Sequence, residues 1–447
     1  MFALGIVYWM FNRPMEQTEQ FLKKKFAKKP EVVEANIKVM HAGYNFADTI
    51  EALPSSYTVL SANLRKGTYR NVMGNQATAW GFLAAAERAN KELFLGSYPI
   101  TPASDILHEL AKHKNLGVKT FQAEDEIAGI CSAIGASFTG SLAITTTSGP
   151  GLALKGEALG LAIMTELPLV VVDVQRGGPS TGLPTKTEQS DLFQALYGRN
   201  GESPAVILAS STPANCFDWS YMASKITLEH NTPVVLLSDG YLGNGAEPWN
   251  IKSTKDMPSI TPNIATEGEE YLPYKRDDRT LARKLALPGT KGMEHRLGGL
   301  EKEDITGNVS YDGDNHEKMC RIREEKINRI ANIIPKQEVF GKEKGDLLVV
   351  GWGGTHGSLY SAVEKLQKEG LNISLSQFNY INPLPKNTAE ILNNFKKIVV
   401  CELNNGQFVN YLRMKNQGVI FNQYNKLQGL PFTTSELEDY FKTLLKN

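Results

Sequence analysis

Four short stretches of the chain carry residue types and spacings that could do chemistry. In Tyr98-Pro99-Ile100-Thr101-Pro102 a hydroxyl sits between prolines that stiffen the backbone around it. In Gln175-Arg176-Gly177-Gly178-Pro179-Ser180-Thr181-Gly182-Leu183-Pro184-Thr185-Lys186, three glycines, two prolines, three hydroxyls and two cations make a poor solvent loop and a good anion-recognising wall. Arg176 with the rigid Thr101 suits a carboxylate, because guanidinium presents two parallel donors to its two oxygens. The alternative for Arg176 is a surface ion pair.

Thr145-Thr146-Thr147-Ser148-Gly149-Pro150-Gly151 ends an apolar run in a hydroxyl-rich loop, where Gly149 and Gly151 let a ligand approach the main chain. The pattern GxxxxGK[ST] is absent, so magnesium-phosphate binding is not expected on this chain. Glu126, beside Glu124 and Asp125, opens a helix. A carboxylate there can simply favour the helix dipole; held in an apolar interface, it can instead bond a heteroaromatic nitrogen and stabilise one tautomer of the ring. No Ser-His-Asp or Cys-His set can be assembled and the seven histidines are dispersed, which gives hydrolase chemistry little support.

The elements that must hold these residues alternate between apolar strands and small-residue helices from about residue 70 to 240. Leu169-Val170-Val171-Val172 is apolar on both faces, as a parallel strand covered by helices must be. Ser104 is expected to cap a helix over 105–114, and single helices are expected over 125–139 and 152–165. This is a doubly wound α/β pattern, which places sites where strands end in loops. Residues 248–314 are polar and rich in Gly and Pro, and read as long connecting segments. A second α/β unit begins near Gly345; its Gly351-Trp352-Gly353-Gly354-Thr355-His356-Gly357 lacks the spacing of a dinucleotide fingerprint.

With 447 residues the chain is long enough for two to four domains, and its 48 basic and 48 acidic residues give no field favouring nucleic acid. The lysine run Lys23-Lys24-Lys25 alternates with Phe and Leu, and reads as a solvated helix face. The apolar lead Met1–Met10 lacks a basic flank and a cleavage site, and no membrane insertion is expected. Cys131, Cys216, Cys320 and Cys401 form no CxxC pair, so an iron–sulfur cluster within this chain is hard to build, and a reducing, cytoplasmic setting fits.

Six motifs, in order, resemble the alpha subunit of 2-oxoacid:ferredoxin oxidoreductases, most of all the 2-oxoglutarate type. They are Gly74-Asn75-Gln76-Ala77, Tyr98 to Pro102, Gln122-Ala123-Glu124-Asp125-Glu126, Thr147 to Gly151, Gln175 to Gly182, and Pro233-Val234-Val235-Leu236-Leu237-Ser238-Asp239. Glu402-Leu403-Asn404-Asn405-Gly406-Gln407 resembles the family's late Glu-x-Asn-x-Gly-Gln signature. The resemblance implies a pyrimidine-binding, thiamine-diphosphate-type domain over 66–250, connecting segments and a helix over 251–340, and a transketolase C-terminal-like domain over 341–447. Residues 1–60 resemble only the tail of the gamma-like domain that precedes the alpha part in two-subunit members, so a truncated N-terminal domain is expected.

The same resemblance implies thiamine diphosphate at an interface with a beta subunit, which would hold Mg2+ and a [4Fe-4S] cluster, with coenzyme A as co-substrate and ferredoxin as electron acceptor. It assigns Glu126 to the aminopyrimidine ring nitrogen, Thr101 and Arg176 to the carboxylate of a 2-oxoacid, Ser180, Thr181 and Lys186 to the distal end of a dicarboxylate, and Gly149 and Gly151 to the cofactor. The expected reaction is oxidative decarboxylation of 2-oxoglutarate to succinyl-CoA. The alternatives are pyruvate, branched-chain 2-oxoacid or indolepyruvate as substrate, or a non-catalytic assembly subunit.

Overall fold

The computed structural model describes residues 1–50 and 55–446. Residues 51–54 of the expected N-terminal segment and the final residue of the expected last domain lie outside the described residues. The chain divides into two compact units, Met1–Gly67 and Thr68–Asn447.

The first unit contains helices α1 (Phe2–Met10), α2 (Glu16–Lys25) and α3 (Pro30–Thr49), so the apolar lead is a helix. Pro30 opens α3 at the position where its missing N–H costs nothing. Leu22 is buried while Lys23, Lys24 and Lys25 are exposed, which makes the lysine run a solvated face. Helices α1 and α3 cross closely, because a Cβ on Gly43 would stand 1.9 Å from the Phe2 carbonyl.

The second unit is built on a seven-stranded sheet. Its strands are β2 (Leu93–Ser97), β3 (Lys119–Gln122), β4 (Leu142–Thr147), β5 (Leu169–Gln175), β6 (Val206–Ala209), β7 (Pro233–Asp239) and β11 (Tyr380–Asn382), in the order β11-β6-β7-β5-β4-β2-β3. All pairings are parallel except β11 with β6. Strands β1 (Tyr69–Met73) and β8 (Ala246–Asn250) form a separate antiparallel ribbon. A four-stranded parallel sheet follows, β10 (Ile373–Phe378), β9 (Gly345–Trp352), β12 (Phe395–Glu402) and β13 (Asn422–Asn425), in that order.

Val170, Val172 and Val174 of β5 join one hydrophobic cluster, and Leu169 and Val171 join another on the opposite face. The second cluster continues into Leu348, Val350 and Trp352, so the two sheets share a core. Burial of both faces is what the uninterrupted apolar run requires, at roughly 1.5–3 kcal/mol per large side chain removed from water.

Helices α4 (Gly74–Ala89), α5 (Ser104–Leu110), α6 (Glu126–Phe138), α7 (Gly149–Leu154), α8 (Gly156–Thr165), α9 (Leu192–Tyr197), α10 (Cys216–His230) and α11 (Gly240–Asn244) connect the first half. Two expectations are corrected here. Ser104 is the first helical residue and its hydroxyl donates backward to the Ile100 carbonyl at 3.2 Å; Ala103 occupies the cap. The helix expected over 152–165 is two, broken at Lys155, whose fully buried ammonium donates to the Glu126 carbonyl at 2.7 Å. Asp125 does cap α6, accepting from Ala128 N at 2.7 Å.

The polar 251–312 segment is held by side chains in place of ladders. Arg276 bonds both Glu166 oxygens, Lys326 of α12 (Gly313–Arg329) reaches the same carboxylate at 2.6 Å, and Arg283 donates to Thr165 O at 2.7 Å. Burial alone would raise the Glu166 carboxyl, but Arg276, Lys326 and Arg283 outweigh it and hold it well below the usual carboxylate range. The last helices are α13 (His356–Lys368), α14 (Thr388–Asn393), α15 (Gln407–Lys415) and α16 (Thr434–Lys446). Among the described residues no helix is long and apolar enough to cross a membrane.

Candidate active site

Parallel strands put their carboxyl ends on one edge, and every chemistry-bearing stretch follows such an end: Thr101 after β2, Glu126 after β3, Gly149 and Gly151 after β4, Arg176 after β5. Ser97 at the tip of β2 ties this edge together, its hydroxyl 2.7 Å from Thr146 Oγ1 of β4.

Arg176 is 7% exposed. Its Nη1 donates to the main-chain carbonyl of Thr101 at 2.7 Å, so the structure joins these two predicted residues through the Thr101 backbone and leaves that hydroxyl for other use. Arg176 Nε is buried without a hydrogen-bond partner among the described residues. A guanidinium anchored at one end and holding an unsatisfied buried donor is prepared for an acceptor with two oxygens.

Glu126, 8% exposed, stands at the first turn of α6 against Gly151, where an added Cβ would lie 2.7 Å from Glu126 Cγ and 2.0 Å from Thr147 Oγ1. Only glycine fits there. Gly149 is crowded likewise, by the Asp191 carboxylate, 2.5 Å from an added Cβ. Lys155, lowered to about 8 by burial and raised back in part by Glu126 and Asp125, places positive charge behind the Glu126 main chain. Glu126 thus keeps its side chain free of any described hydrogen-bond partner while its backbone is fixed, which suits an acid that must meet a ring nitrogen of a bound heterocycle.

Ser180, Thr181 and Lys186 are exposed on the loop that leaves β5. That loop is closed by Leu183 N donating to Gly177 O at 2.7 Å and Gly177 N donating to Lys186 O at 2.9 Å. Ser180 adopts φ +55° and Gly182 φ +50°, and a Cβ on Gly182 would collide with the Gly177 carbonyl. The Lys186 stem lies over Gly429, whose added Cβ would stand 2.7 Å from Lys186 Cβ.

Two carboxyls here escaped the sequence reading. Asp173, fully buried in β5, and the half-buried Asp191 both hold their protons above the usual carboxylate range: burial raises both, the charge of Asp191 raises Asp173 further, and Asp191 is pushed up to about 6, with Glu188 adding to the rise and Arg176 opposing it. The signal was present, since Asp173 is the lone charge in an otherwise apolar strand. Gln189 also went unnoticed; it joins the loop to the second sheet, donating to Trp352 O at 2.7 Å and accepting from Leu403 N at 3.0 Å.

Known proteins resemble this chain along nearly its whole length. Residues 85–311 match the thiamine-diphosphate-binding family model of pyruvate flavodoxin/ferredoxin oxidoreductases, and residues 345–437 match core domain II of pyruvate:ferredoxin oxidoreductase. The chain is 49% identical over its whole length to the 2-oxoglutarate oxidoreductase subunit KorA of Mycobacterium tuberculosis, covering 68% of that protein. It is 32% identical to the 2-oxoglutarate synthase subunit KorA of Methanothermobacter marburgensis, over 75% of this chain and 88% of that one. The solved 2-oxoglutarate:ferredoxin oxidoreductase from Magnetococcus marinus, with 2-oxoglutarate, coenzyme A and succinyl-CoA bound, superposes with a TM-score of 0.90 at 33% identity, covering 99% of this chain and 77% of that one.

Proposed function

The chain belongs to the alpha subunits of the 2-oxoacid:ferredoxin oxidoreductases, and from that premise we propose that it takes 2-oxoglutarate as substrate and works with a beta subunit to yield succinyl-CoA, carbon dioxide and reduced ferredoxin. The observation that carries the reading is Arg176, anchored on Thr101 O and holding a buried donor without a described partner at the edge where all four motifs meet.

In this reading Arg176 and the Thr101 hydroxyl orient the carboxylate next to the keto group, so that the scissile carbon–carbon bond is held in one geometry. Ser180, Thr181 and Lys186 supply donors for the distal carboxylate, the feature that separates 2-oxoglutarate from pyruvate. Glu126 holds a proton at the cofactor's ring nitrogen, and Gly151 and Gly149, with no Cβ, let the loop that faces the ring pack directly against Glu126, Thr147 and Asp191. Bound thiamine diphosphate supplies the electron sink that lets carbon dioxide depart.

Magnesium and a [4Fe-4S] cluster are assigned to the beta subunit. Supporting this, Cys216 and Cys401 are buried and burial pushes both thiols up, Cys216 to about 12, so neither is a ready ligand. Four free thiols also support a reducing, cytoplasmic setting. Arg176→Lys tests the carboxylate assignment: with one point charge in place of the fork, KM for 2-oxoglutarate should rise by roughly 30-fold or more, equivalent to ~2 kcal/mol. An unchanged KM contradicts it.

A further inference from the structure

Away from the strand ends, three side chains of metal-ligating type converge where the 251–312 segment meets α12. His316 and Cys320 are four residues apart on that helix, hence on one face. Glu301 comes from the irregular segment; its carboxylate accepts from His316 Nδ1 at 2.7 Å, and Cys320 Sγ is 3.8 Å from His316 Nε2. One ligand atom from each of the three groups lies within 4.8 Å of the other two. A tetrahedral ion with bonds of about 2.0–2.3 Å spans ligand atoms roughly 3.3–3.7 Å apart, so small side-chain adjustments suffice.

Glu301 is set in place by contacts that need no ligand. Ser310 N donates to Glu301 O at 3.1 Å, and Asn315 Nδ2 donates to Lys302 O at 2.9 Å. Arg323, 5% exposed, donates to both Glu301 oxygens at 3.3 Å and, through Nη2, to Cys320 Sγ at 3.2 Å. The same buried guanidinium therefore fixes both the carboxylate and the sulfur in place. His316 and Cys320 also line a cavity of about 660 Å³, which gives access and space for a water ligand.

We propose that Glu301, His316 and Cys320 form a site for a divalent cation of borderline softness such as Zn2+, with water completing the coordination. Thiolate and imidazole select against Mg2+ and Ca2+, which take oxygen ligands. Arg323 offsets the charge of the two anionic ligands, and the ion clips the 251–312 segment to α12.

The test is Zn2+ titration of the complete chain, co-purified with its beta-type partner and stripped with a weak chelator, against a chromophoric competitor, with zinc-edge X-ray absorption to count sulfur neighbours. One zinc with one sulfur neighbour is expected, its affinity reduced by at least ~100-fold in Cys320→Ser and in His316→Ala, beyond what loss of an outer-shell group costs. His316 is exposed and Cys320 half-buried, and retained 2-oxoacid turnover in the variants shows that they fold. Zinc bound without a sulfur neighbour, or affinity unchanged in either variant, overturns the site.

Discussion

Glu126 and Asp191 show how burial gives chemically equal carboxyls different tasks. Glu126 keeps a free carboxylate beside a glycine, whereas Asp191 lies under the neighbouring glycine in a dry pair with Asp173. Glu126→Gln should lower turnover by ~100- to 10,000-fold, the usual worth of a positioned acid or base, and should slow solvent exchange of the thiamine C2 proton in parallel. Equal exchange rates in both proteins would remove the role. Asp191 has the opposite pH signature to an ion-paired carboxylate. Its folded form holds a proton up to about 6 because burial disfavours charge and Glu188 repels it, against the opposing effects of Asp173 and Arg176. The folded state therefore binds more protons than the unfolded one between the ordinary carboxylate range and about 6, and stability falls as pH rises through that window. Asp191→Asn should flatten that loss, on the order of 2 kcal/mol, in unfolding midpoints measured from pH 4.5 to 7.5. Thr101, Glu126 and Arg176 were legible in the sequence because each sits in an unusual local context. Asp191, in an ordinary loop, was not, since its partner is 18 residues away across a strand end.

At the scale of elements, the late Glu402-x-Asn404-x-Gly406-Gln407 pattern explains how the second sheet steadies the loop after β5. Buried Glu402 accepts from Trp352 Nε1 at 3.1 Å, Asn404 Nδ2 at 3.1 Å, Phe408 N at 2.7 Å and Val409 N at 3.0 Å, and so caps α15 from within. Asn404 and Gln407 then donate to Gln189 O and Ser190 O, each at 2.7 Å. The glycines that invite a dinucleotide reading serve this docking: Gly354 N donates to Asp239 Oδ2 at 3.1 Å, and a Cβ on Gly353 would stand 2.4 Å from Gln189 Nε2. Glu402→Ala strands four donors and should destabilise the chain by roughly 3 kcal/mol, with KM for the 2-oxoacid rising through the loosened loop. A thermal midpoint shift of under a degree with unchanged KM would contradict this. The alternation of strands and helices was legible because burial on both faces writes itself as period and composition. The path of 251–312 was not, because buried Arg283 and the Glu166–Arg276–Lys326 ion cluster hold it, and ion pairs leave no periodic trace.

On the scale of the whole molecule, division of labour with a second chain is consistent with what these residues can and cannot do. In the proposed reading the strand ends supply a carboxylate clamp at Arg176 and an acid for a ring nitrogen at Glu126, and the described residues hold no cluster of four thiolates. The most direct test of the account is 2-oxoacid-dependent reduction of ferredoxin by this chain co-expressed with its beta-type partner, with thiamine diphosphate and coenzyme A present and 2-oxoglutarate compared with pyruvate. The account predicts reduction that requires coenzyme A, with kcat/KM for 2-oxoglutarate exceeding that for pyruvate by at least ~100-fold, the margin a site built for a second carboxylate can enforce. A preference for pyruvate would contradict the substrate, and no turnover with either acid in a fully loaded complex would contradict the role given to Glu126, Thr101 and Arg176.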